Sequence, residues 1–132
     1  MSFALDVSKF VEKAKKNPEK VMRQVSIKLF SAIIKASPVD TGRFRMNWMA
    51  SGGTPAFRTT DATDKSGNIA TGNVTSFVLK AADWREFTLT NNLPYAQRLE
   101  YGHWSKQAPQ GMVRINVSRF QRLINEEANK VK

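Results

Sequence analysis

A helix bracketed by two prolines sets most of what this chain can become. Asn17-Pro18 opens it, because Asn is a favoured N-cap and Pro fits the first helical position, where its missing N–H has no partner in any case. Ser37-Pro38 closes it, since proline disfavours helical geometry in the residue before it. Between them Met22, Val25, Leu29, Ala32 and Ala36 recur at helical spacing beside Ile33, while Gln24, Lys28, Ser31 and Lys35 form a wet stripe. The pattern predicts an amphipathic helix over 18–36. A second stripe, Val113, Val117, Phe120, Ile124, Ala128 and Val131, predicts a closing helix opposed by Ser118, Arg122, Asn125 and Asn129.

The chain between these helices is shorter-ranged. Val39-Asp40-Thr41-Gly42 is a compact turn, in which Asp40 is placed to bond the backbone two residues on and Gly42 tolerates positive φ. Phe44, Met46, Trp48 and Ala50 then alternate with Arg43, Arg45, Asn47 and Met49, as in a strand; a helical turn over 41–45 competes. Residues 54–73 read as a long polar loop with Phe57 and Ile69 its large apolar residues, and a short strand around Phe57. Loops this long are usually functional or mobile. Residues 74–82 carry helical spacing, and 84–91 alternate as a strand with Phe87 and Leu89 inward and Thr88 and Thr90 outward. Pro94 begins a helical piece closed by Gly102, and 104–111 is a loop. Residues 8–16 can form a short basic helix, so 1–17 reads as a basic N-terminal helical segment.

At 132 residues the simplest organisation is one domain, 1–132. No apolar run nears the roughly 18 residues of a membrane span, no membrane partner is expected, and the N-terminus does not read as a secretory signal. The absence of cysteine excludes disulfides and thiolate chemistry. Net charge is +10. Residues 1–46 carry 10 Lys and Arg against 4 Asp and Glu, residues 47–88 four of each, and residues 89–132 seven against three. Basic ends around a neutral middle favour nucleic acid or an acidic protein without choosing between them. Lys9, Lys13, Lys16, Lys20 and Lys28 form a candidate basic face, or simply a solvated one; any contact with genomic DNA would be transient and non-specific.

Catalytic constellations are missing. The single histidine, His103, has no second ligand at metal spacing, and Ser105 beside it is adjacency without a triad. Asp61 and Asp64 read as loop-solvating carboxylates, and Glu126 and Glu127 as the edge of an amphipathic helix. No phosphate-binding glycine motif occurs. We expect no enzyme, no cofactor and no metal.

Three short motifs stand in a fixed order. Asp40-Thr41-Gly42-Arg43-Phe44 is followed by Asn47-Trp48; Asn91-Asn92-Leu93-Pro94-Tyr95-Ala96 leads to Glu100-Tyr101-Gly102; and Pro109-Gln110-Gly111-Met112-Val113 precedes the last helix. This ordering resembles the small neck and tail-completion proteins of long-tailed, double-stranded-DNA bacteriophages, over roughly residue 36 to the C-terminus. Segment 54–73 is longer and more polar than in the compact members. The resemblance implies an α+β fold, a small single domain with long N- and C-terminal helices packed on a short, mostly antiparallel sheet. It implies a virion protein made in the host cytoplasm and carried in the neck or tail of the particle. There it would assemble with itself into a ring, typically hexameric, against tail-tube and head-connector proteins. The pattern does not separate tail-terminator, completion and head–tail joining roles.

Interface candidates follow from the density of aromatics in 90–111. Tyr101, His103, Trp104, Lys106 and Gln110 are the expected subunit contacts, since rigid aromatics dominate interfaces. Tyr95 and Tyr101 equally suit a role pinning their helix to its own core. A small basic, non-specific nucleic-acid-binding protein is the alternative from a different class.

Overall fold

Three strands far apart in sequence meet in one antiparallel sheet. A computed structural model describes residues 3–6, 18–101, 112–117, 119 and 122. Strand β1 (Phe3–Asp6) and strand β2 (Trp48–Ser51) both pair with β3 (Thr88–Asn91), giving the order β1-β3-β2. Asn91 lies opposite both Phe3 and Trp48, and Thr88 opposite both Asp6 and Ser51. All four residues of β3 are buried. The outward placement expected for Thr88 and Thr90 is therefore wrong. A middle strand has neighbours on both sides, and here its second face is covered as well. The strand is also shorter than the alternation over 84–91 suggests, although Phe87 just before it is fully buried.

Five helices complete the described chain: α1 (Pro18–Ala36), α2 (Arg43–Met46), α3 (Asn68–Lys80), α4 (Ala96–Tyr101) and α5 (Val113–Val117). Helix α1 keeps the bounds its prolines predict. Its buried face is wider than one stripe: Val21, Met22, Val25, Ser26, Leu29, Phe30, Ile33 and Ile34 are all inside, while Ala32 and Ala36 are half-buried. The pairing of buried positions every four residues arises because α1 packs against both α3 and α5. Each buried Leu, Ile or Phe contributes about 1.5–3 kcal/mol by leaving water, so this helix anchors the fold.

Helix α3 packs in turn on β2, and helices and sheet share one hydrophobic core. The fold is thus α+β, with helices on a short antiparallel sheet. Part of the expected loop 54–73 is helical, because α3 starts at Asn68, earlier than the spacing over 74–82 indicates. No strand forms around Phe57. The competing helical reading after Gly42 also holds. Arg43–Met46 is one helical turn, which puts Phe44 and Trp48 four residues apart with ring centroids 5.8 Å from one another, edge to face. Helix α4 begins two residues after Pro94, which sits in the preceding turn. The expected helical segment 1–17 is wrong at its start, where Phe3–Asp6 is strand β1 because β3 offers it a pairing edge; the helix expected over 8–16, the cap Gly102, the loop 104–111 and most of the C-terminal helix beyond Val117 lie outside the described residues.

Candidate functional site

The three sequence motifs occupy three backbone junctions. Gly42 has φ +92°, and its carbonyl accepts the amide of Asp64 at 3.0 Å. A Cβ there would lie 2.5 Å from the Lys65 nitrogen and 2.6 Å from the Asp64 carbonyl carbon. Glycine is required both by the left-handed backbone and by the chain lying over it. The side-chain bond of this turn is made by Thr41, whose Oγ1 accepts from the Arg43 amide at 3.2 Å. Asp40, expected to make it, is exposed.

Asp64 sits over this turn and caps α3. Its Oδ2 accepts from the amides of Ile69 and Ala70 at 2.7 and 3.0 Å, and its Oδ1 from Gly67 and the Ser66 hydroxyl at 3.1 and 3.0 Å. Partial burial pushes this carboxyl up. The bonds from Ala70, Ser66, Ile69 and Gly67 outweigh that and hold it below the usual range. Asp64, expected as a loop-solvating carboxylate, is instead a buried helix cap.

Arg45 ties the same corner to α1. Its guanidinium donates to the carbonyls of Ser37 at 3.0 Å, Lys35 at 2.8 Å and Lys65 at 2.8 Å. Desolvation lowers its pKa from the ordinary arginine value, and Asp64 partly offsets this. Asp61, by contrast, is exposed and pairs with Arg43 at 3.2 Å.

Asparagines hold the second junction. Asn91 Nδ2 donates to the Phe44 carbonyl at 3.0 Å while its Oδ1 accepts from Leu93 at 3.2 Å, shaping the turn that carries Pro94 and Tyr95. Tyr95 is half-buried and lies 5.7 Å from the Phe44 ring, so this tyrosine pins its turn to the core. Ala96 is buried beside it. Asn92 Nδ2 reaches the carbonyls of Ala56 and Arg58 at 2.8 and 3.1 Å.

Glu100 forms the third junction. It is completely buried. Its Oε1 accepts from Met112 and Val113 at 2.7 and 2.8 Å, and its Oε2 from the amide and Nε of Arg114 at 2.7 and 3.2 Å. Arg114 also donates to the Glu100 carbonyl at 2.5 Å. One carboxylate therefore closes α4 onto the start of α5. This gives a physical reason for the Glu100 motif and the Met112-Val113 motif to occur together.

Of the expected surface residues, Lys20 and Lys28 are exposed on α1. Lys9, Lys13, Lys16, Gly102, His103, Trp104, Lys106 and Gln110 lie outside the described residues. Tyr101 ends α4, and its side chain is likewise outside them. No group of three His, Asp or Glu suited to a metal occurs among the described residues.

Two features escaped sequence reasoning. Phe57 is 93% exposed, between the two carbonyls that Asn92 holds. Its signal was only a large apolar residue in a polar segment. A groove of about 600 Å³ opens between β2, α3 and residues 58–60; Met46, Met49, Ala50, Val74 and Phe77 supply its apolar lining, and Arg58, Thr59, Thr60 and Asn73 a polar lining of similar extent. Thr60 is fixed beside it by Asn47, whose amide donates to the Thr60 carbonyl and accepts the Thr60 N–H, both at 2.9 Å. The exposed aromatic and the groove lie at the surface, while the two buried carboxylates, Asp64 and Glu100, are committed to helix caps. Comparison of the chain with protein-family models, with curated proteins and with solved structures finds no match in any of the three.

Proposed function

We propose that the protein is a non-enzymatic structural component of a bacteriophage neck or tail top. In this reading copies form a ring that completes or terminates the tail and joins it to the head connector. The observation that carries the proposal is the use made of the motif residues. Gly42, Asn91, Tyr95 and Glu100 serve the backbone and core, fixing the relative positions of α1, β3, α4 and α5. The resemblance to neck and tail-completion proteins rests on these residues, and their structural roles suit a rigid building block. The exposed Phe57 and the groove of mixed polar and apolar lining offer surfaces for contacts of the kind a ring needs.

Size-exclusion chromatography with light scattering, together with electron microscopy of the purified protein and of particles, tests the reading. Ring-shaped particles, or density for the chain at the tail top, are expected. A strict monomer at high concentration, combined with particles that lack the chain, would exclude it.

A further inference from the structure

We propose that the groove between β2, α3 and residues 58–60 is a binding site for one carboxylate carried on an apolar body. Its floor and its rim differ in chemistry. Trp48 and Val74 line it from buried positions. The Trp48 indole N–H is already given to the Ser37 hydroxyl at 2.8 Å, so this floor offers a guest apolar contact alone. Arg58, Thr59 and Asn73 line the groove from exposed positions. Among the described residues the Arg58 guanidinium, the Thr59 hydroxyl and the Asn73 amide have no hydrogen-bond or ion-pair partner. Asp61, the acid nearest Arg58 in sequence, is paired with Arg43 at 3.2 Å, and no acidic residue lines the groove.

These free donors call for an anion, and the rest of the lining narrows its kind. A guanidinium presents a planar fork that matches a carboxylate through two parallel bonds. A phosphate backbone is held by several cations along its length, and this groove has one. A bare anion would leave the apolar half of the lining in water. Met46, Met49, Ala50 and Phe77 instead favour an alkyl or aryl group lying below the charge. At about 600 Å³ the groove falls within the roughly 300–1,000 Å³ of small-ligand sites.

The rim is built before a ligand arrives. Asn92 holds the Arg58 carbonyl at 3.1 Å. Asn47 fixes Thr60 through two bonds of 2.9 Å, and Arg43 Nε donates to the same Thr60 carbonyl at 3.2 Å. The backbone carrying Arg58 and Thr59 is clamped at both ends, so little chain freedom is lost on binding. The site goes beyond the ring reading and does not need it. Its acid can be a free small molecule or a residue of a neighbouring chain.

The test titrates phenylbutyrate into the isotope-labelled full chain at low salt and follows the protein by NMR. Saturable shifts are expected at the Arg58 Nε–H and at the amides of Thr59, Asn73 and Phe77. Phenylbutanol, which lacks the charge, and acetate, which lacks the apolar body, are each expected to bind about tenfold more weakly or worse. Arg58→Ala should weaken phenylbutyrate by a similar factor at an unchanged melting temperature, since this side chain bonds nothing in the fold. Equal affinity for the alcohol, for acetate or for the Arg58→Ala protein overturns the site. So does the lack of any saturable shift at millimolar ligand, or shifts centred on Lys20 and Lys28 of α1, which would mark unspecific uptake of anions. A capped peptide with phenylalanine beside glutamate separates the sources: binding tighter than phenylbutyrate assigns the acid to a protein chain, and weaker binding assigns it to a free molecule. None of these outcomes touches the ring reading, which light scattering and microscopy test separately.

Discussion

Asp64 donates its backbone amide to the carbonyl of Gly42, 22 positions earlier, and leaves no room there for a side chain. The turn and the loop that covers it are one unit. Gly42→Val is expected to lower stability by well over about 1 kcal/mol, the usual penalty for a side chain at positive φ, since backbone atoms must also move. Asp40→Ala, on an exposed carboxylate, should stay within roughly 0.5 kcal/mol. Thermal melts of the two variants check this; equal losses would refute the assignment of the turn to Gly42 and Thr41.

The Glu100 cap should be the most costly side chain to remove. Glu100→Ala leaves the amides of Met112, Val113 and Arg114 without their acceptor, and each buried orphan costs about 1–3 kcal/mol. Glu100→Gln keeps one oxygen and should lose less. Urea denaturation of both variants measures the difference, and a Glu100→Ala protein of full stability would contradict the cap.

Acid should loosen the start of α3. The folded-state pKa of Asp64 lies below its unfolded value of about 3.9. Its contribution is thus complete above that value and disappears as pH falls through the lower, folded one. Asp64→Asn should flatten stability against pH in this acidic window while leaving the slope near neutrality unchanged. Chemical denaturation at a series of pH values gives the comparison, and parallel curves for the two proteins would discard the idea.

Nucleic-acid affinity separates the two functional classes. With non-specific phosphate contacts alone, fluorescence anisotropy on duplex DNA should show weak binding that fades steeply between low and physiological salt. Tight binding that survives physiological salt would favour the nucleic-acid-binding reading over the ring.

Freeing the loop should not unfold the protein. Asn92→Ala removes the bonds to Ala56 and Arg58, so hydrogen exchange over 54–60 is expected to rise with little change at Leu89 or Val25. Uniform acceleration across the chain would show that Asn92 supports the core itself.

Legibility in the sequence followed the range of the interaction. Helix α1 is signalled by local residues, with a proline at each end and a stripe between, and its bounds are as predicted. Helix α3 was cut short because Gly72, Thr71 and Asn73 are weak helix formers, while the residue that starts it, Asp64, acts from outside the helix by its side chain. Thr88 and Thr90 look outward when β3 is read alone. Their burial depends on β1 and β2 arriving from elsewhere in the chain. The same holds for the site. Gly42 and Glu100 were marked by motif, yet the partners that explain them stand over ten residues away. Phe57 was visible as a residue and meaningless until the Asn92 bonds placed it.

The Asn47 side chain pairs with Thr60 as a peptide group would, giving one bond and taking one. β2 is the outer strand on that side of the sheet, and the chain at Thr60 is thereby tied to the residue that leads into it. Open strands recruit strands from other molecules and grow without limit. By tethering its own backbone beside the start of that strand, the chain spends on itself an amide side chain and a peptide group that would otherwise lie open near the sheet's border.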